Sequence, residues 1–110
     1  MRFIDFIPRV KKEFGTGRIT LNADMIEAIR VVADTGEIKV WYRGDKFPFV
    51  FHLLTDAELE VRDDPFYEDD FKDDVMEVLL DMLNDPNVWY IKIDDIFNRA
   101  SLYRYLKDKK

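Results

Sequence analysis

Nine carboxylates, Asp63, Asp64, Glu68, Asp69, Asp70, Asp73, Asp74, Glu77 and Asp81, crowd one short stretch of this chain. Three kinds of chemistry use such a group: cation ligation, acid–base catalysis and docking to positive charge. Ligation of Ca²⁺ or Mg²⁺ needs hard oxygens, which are present. The spacing, however, lacks the alternating acids, central glycine and terminal glutamate of an EF-hand loop. Acid–base work needs a pocket that drives two carboxyl pKa values apart, and nothing in the sequence gathers these acids around a cleft. Docking needs only a charged face.

The other residue types narrow the chemistry further. His52 is the only histidine, Ser101 the only serine, and cysteine is absent. Thiolate zinc sites, disulfides and thiol nucleophiles are therefore excluded, as is a histidine metal cluster within one chain. Ser101 has no nucleophile-elbow motif around it, and no glycine-rich phosphate loop occurs. The sequence thus predicts no enzyme, no cofactor and no metal.

Charge is distributed unevenly. Residues 56–85 hold thirteen of the 23 acidic residues and only Arg62 and Lys72, a formal −11, whereas the other 80 residues carry +5. Such asymmetry bears on partners and association. Phe71, Val75, Val78, Leu79 and Met82 recur at three- and four-residue spacing, which predicts an amphipathic helix from about Glu68 to Asn84. Asp70, Asp73, Asp74, Glu77 and Asp81 are then expected on the opposite face. At a rise of ~1.5 Å per residue these five charges span about 16 Å, roughly one per 3–4 Å. A DNA strand presents one phosphate per ~3.4 Å of axis.

The expected function is therefore a non-enzymatic interaction protein whose acidic helical face binds a basic protein surface. A groove built for nucleic acid is the most specific such surface, and a phage or mobile-element inhibitor of anti-CRISPR or anti-restriction type the most concrete form of the protein. The competing reading is a self-associating structural or regulatory domain, a homodimer, whose acidic face is merely solvated. Direct nucleic-acid binding is not expected. Trp41-Tyr42-Arg43, Trp89-Tyr90 with Lys92, and Tyr103-Arg104-Tyr105 interleave aromatics with cations, the residue types of stacking platforms. On strands, though, one aromatic of each adjacent pair must face the core.

The remaining elements read as a small α+β domain, 1–110, with an antiparallel sheet of about four strands packed by two or three helices. Hydrophobic residues make up 47% of the chain, enough to offset the entropy of folding. Residues 1–17 predict a short helix beginning near Ile7, with Phe3, Ile4, Phe6, Ile7, Val10 and Phe14 as its stripe and Pro8 in its first turn. Strands are expected at 18–21, 37–42, 47–54 and 88–93, separated by turns at 22–24, 34–36 and 43–46. Residues 25–32 fit either a helix or a strand. Thr55 and Glu58 have capping-box spacing. Residues 63–68 read as a connector. A last helix, capped by Asp94 or Asp95, places Ile96, Phe97, Ala100, Tyr103 and Leu106 on one face.

The segment Arg18 to Phe51, through Leu21-Asn-Ala-Asp24, Ile26, Glu27 and Ile29, resembles the small β-meander module of FlbD-type flagellar proteins. The resemblance covers about a third of the chain. It implies strand rather than helix for residues 26–32, and no function is carried across. No apolar run approaches the ~20 residues of a membrane span, and Met1 to Val10 does not resemble a signal peptide. No membrane partner is expected, and the cytoplasm is the expected compartment.

Overall fold

Alternation governs the first element of the computed structural model. It describes residues 2–12, 15–32, 34–60 and 65–108, with the side chains of 59, 65–70 and 103–108 outside the description. Strand β1, Phe3–Ile7, buries Ile4 and Phe6 and turns Phe3, Asp5 and Ile7 outward. The helix expected within residues 1–17 is therefore corrected to a strand over 3–7; Phe14 lies outside the described residues. A period of two and a period of 3.6 both accommodate Phe3, Ile4, Phe6 and Ile7. Pairing decides between them, because β1 gains a partner on each side. β2, Ile19–Asn22, runs antiparallel to it, and a late strand, β6, Tyr90–Lys92, runs parallel.

After β2 the chain turns a corner. Asn22 accepts a hydrogen bond from the Asp24 N–H at 3.0 Å, and a 3₁₀ turn over Ala23–Met25 leads into β3, Ile26–Val32. Strand β3 pairs antiparallel with β4, Glu37–Tyr42, which pairs antiparallel with β5, Phe49–His52. Residues 26–32 are thus a strand, and β3, β4 and β5 form an antiparallel meander, whereas β2 at 19–22 pairs with β1 instead of joining it. The expected single four-stranded antiparallel sheet is corrected to two three-stranded sheets among the described residues, ordered β2-β1-β6 and β3-β4-β5. Local patterning specifies hairpins. The β1–β6 pairing joins residues about 85 apart and leaves no local trace in the sequence.

The segment after β1 couples the sheets. Val10 bridges His52, and Thr16 makes two bonds with Val50, donating its N–H to the carbonyl at 2.7 Å and accepting at Oγ1 at 2.9 Å. Phe6 stacks on Phe51 with centroids 5.4 Å apart. Among the described residues three helices complete the fold: α1, Asp56–Glu60; α2, Pro65–Asn84; and α3, Ile93–Asp108. Thr55 and Glu58 form the expected capping box, with reciprocal bonds of 2.9 and 3.1 Å. Helix α2 begins earlier than expected, at Pro65, a residue suited to a first helical position. Most of the presumed connector is therefore helix, while 63–64 lie outside the described residues. Phe71, Val75, Val78, Leu79 and Met82 of α2 pack with Ile96 and Ala100 of α3 and with the inner residues of both sheets in one apolar cluster.

Candidate interaction surface

Helix α2 positions the acidic face. Asp73, Glu77 and Asp81 are exposed at four-residue spacing, and among the described residues none of the five ion pairs involves them. Asp74 is different: it is 1% exposed, so its expected place in the exposed stripe is corrected to a buried one. Helical arithmetic allows the placement without deciding it, since Asp81, seven residues on and about 20° away at ~100° per residue, stays exposed. Asp74 lies three residues after Phe71 and four before Val78, about 40° from Val78 at ~100° per residue, on the flank of the apolar stripe. Of the other expected residues, Glu68, Asp69 and Asp70 lie on α2 with their side chains outside the described residues, as do Asp63 and Asp64 altogether.

Losing Asp74 thins the charge. Asp73, Glu77 and Asp81 stand about 6 Å apart along the axis at ~1.5 Å per residue. That is roughly half the axial charge density of a single DNA strand. Among the described side chains this row therefore shares with a nucleic-acid strand the sign of its charge and not its spacing. Leu80 falls in the same face and is 45% exposed, an apolar contact set among carboxylates.

The charge continues beyond the helix. A groove of about 460 Å³ runs from Asp81 and Asp85 across Trp89 and Tyr90 to Asp95 and Arg99 on α3. Trp89 is 65% exposed and packs edge-on against Tyr90, with centroids 4.7 Å apart. The rule that one aromatic of a pair faces the core holds for Tyr42, which meets Phe49 edge-on while its hydroxyl accepts the Asn22 N–H. It fails for Trp89 and Tyr90. Strand β6 starts only at Tyr90, so Trp89 precedes the alternation, and Ile91 supplies the buried residue. Asp85, Trp89, Tyr90 and Asp95 were absent from the expected site. Trp89 and Tyr90 carried a signal as adjacent aromatics, and Asp85 and Asp95 only through their proximity to the ends of α2 and α3. The Tyr103-Arg104-Tyr105 side chains lie outside the described residues.

Arginines anchor this surface to the fold. The Arg2 guanidinium donates to the carbonyls of Met82, Leu83, Asp85 and Val88, satisfying the end of α2 and the turn after it. Helix α2 has no basic residue in its last turn, so Arg2 provides the positive charge from β1's side. Arg9 binds both Glu58 oxygens, at 2.7 and 3.1 Å, and the Leu53 carbonyl at 2.7 Å. Its Nε also lies 3.1 Å from Asp94, and its guanidinium stacks 3.9 Å from the centre of the Phe97 ring. The Arg9 hydrogen bond holds the Glu58 carboxyl down to about 2, opposed by burial and reinforced by Thr55.

His52 faces away from the core beside Lys12, Glu37 and Lys39, and its Nδ1 is buried without a hydrogen-bond partner among the described residues. Burial, then the charge of Lys12, pushes its pKa below the usual histidine value. Ser101 lies on a different element, α3. Among the described residues no three acidic or histidine side chains converge as a metal site, and no helix is long and apolar enough to cross a membrane.

The fold defines a mixed α+β protein, with two three-stranded sheets and three α-helices among the described residues. No family model, curated protein or solved structure matches the chain.

Proposed function

We propose that this is a non-enzymatic interaction protein whose acidic face docks a basic protein surface. The observation that carries the reading is the exposed row Asp73, Glu77 and Asp81, free of the ion pairs found among the described residues and interrupted by the half-exposed Leu80. An isolated solvated helix needs no row of like charges; pairs at four-residue spacing each cost about 0.2–0.5 kcal/mol. Asp85 and Asp95 extend the same sign around the end of the helix. Charge arranged this way steers association and sets register, while an apolar residue among the charges adds desolvation energy. A basic groove built for nucleic acid is the most specific partner of this kind. An inhibitor of a nucleic-acid-handling complex, of phage or mobile-element type, is the most concrete form of the proposal.

The test is complex formation with partners captured at low salt, followed across a salt series. Affinity should fall steeply between about 50 and 500 mM, a range over which the screening length shortens severalfold. Replacing Asp73, Glu77 and Asp81 by Asn, Gln and Asn should abolish capture while leaving the folded spectrum intact. Binding indifferent to both salt and these substitutions would sink the proposal. Self-association with the acidic face buried between copies, measured by light scattering, would favour the homodimer reading instead.

A further inference from the structure

We infer that the groove between the end of α2 and the start of α3 receives an arginine side chain of the basic partner. This rests on the proposed docking function and names the residue type that enters. Charge complementarity is the first argument: Asp81, Asp85 and Asp95 face the groove, and Arg99 offsets only one of them. The second is independent of charge. Trp89 is 65% exposed and Tyr90 40% exposed, so two large aromatic rings stand in water at the same place. An aromatic face beside carboxylates is a poor site for an apolar ligand and a good one for a guanidinium, which is planar, weakly hydrated and able to stack and hydrogen-bond together. A lysine ammonium keeps its hydration more strongly and has no plane to lay on the ring.

The protein already contains such an arrangement. Arg9 lies 3.9 Å from the centre of the Phe97 ring while carboxylates of Glu58 and Asp94 hold its edge at 2.7 and 3.1 Å. The groove offers the Trp89 ring and carboxylates from two elements; Lys92 stands 5.8 Å from the centre of the Tyr90 ring, and no cation stands over Trp89 among the described cation–ring contacts. Its volume of about 460 Å³ accommodates one long side chain with its flanking backbone. The groove also adjoins Asp81, so an arginine seated there would belong to the segment lying along the acidic face.

The experiment uses the full chain carrying Trp41→Phe, which leaves Trp89 as its one tryptophan. Two capped peptides are titrated at low ionic strength, one with three arginines separated by glycines and one with three lysines in their place. The arginine peptide should bind about tenfold tighter and change Trp89 emission on saturation. Trp89→Leu should remove that preference, and Asp85→Asn with Asp95→Asn should weaken the arginine peptide severalfold. Equal affinities for the two peptides, or unchanged Trp89 emission at saturation, would overturn the inference. Binding lost in Asp73→Asn/Glu77→Gln but kept in Asp85→Asn/Asp95→Asn would overturn it too, while leaving the acidic-face docking proposal standing. Circular dichroism of each variant separates these results from unfolding.

Discussion

Arg9 shows most clearly how single residues hold this fold. Its guanidinium joins the segment after β1 to α1 through Glu58, to the end of the meander through the Leu53 carbonyl, and to α3 through Asp94 and Phe97. Hydrogen bonds involving charged groups contribute about 1.5–3 kcal/mol each, so Arg9→Met should lower stability by at least about 2 kcal/mol in urea unfolding. The pH dependence follows from Glu58. Its folded pKa of about 2 lies below the ordinary 4.5, so its stabilisation is present above 4.5 and is lost as pH falls towards 2. Urea midpoints measured across that window should fall less steeply for Glu58→Gln than for the unsubstituted protein. Arg9 and Glu58 lie 49 positions apart, and nothing in the sequence paired them. Glu58 was legible only as half of the capping box.

At the scale of elements, the turns and helix ends decide how the acidic face is presented. Gly36, between β3 and β4, has a φ of +64°, and a Cβ there would stand 2.9 Å from the Leu54 side chain. Gly44 has a φ of +87° but open space around its Cα. Gly36→Ala should therefore cost more than Gly44→Ala, about 2–3 against about 1 kcal/mol, since only the former adds a core clash to backbone strain. Thermal midpoints of the two variants test the order. Arg2→Met should release the carbonyls that end α2 and cost about 1–3 kcal/mol. Hydrogen exchange should show faster opening at residues 85–88 than in the body of the helix. The meander and both long helices were legible because their periodicity is local. β1 was not, since its few apolar residues satisfy both periods until β2 and β6 supply their edges.

For the whole molecule, the charge asymmetry is a surface property layered on a common core. Neutralising Asp73, Glu77 and Asp81 removes the two like-charge pairs at four-residue spacing within this row, so the triple variant should be as stable as the parent or more so, with about 0.4–1 kcal/mol from those two pairs. A rise or no change in the thermal midpoint, together with lost partner binding, would separate function from folding at this face. A clear loss of stability would show instead that these acids support the fold. The apolar cluster draws on both sheets and on α2 and α3, so the acidic face, the groove and the Arg9 junction are fixed relative to one another.

The amino-acid sequence by itself determined the α+β composition, the antiparallel meander, the amphipathic character of α2 and the sign of its exposed face. Each depends on neighbours within a few turns or one hairpin. Only the tertiary structure decided that β1 pairs with β6, that Asp74 is buried while Asp73, Glu77 and Asp81 are exposed, and that Trp89 meets Asp81, Asp85 and Asp95 in one groove. The physical reason is range. Periodicity reports which way a side chain points on its own element, whereas burial and shared grooves depend on what another element brings against it.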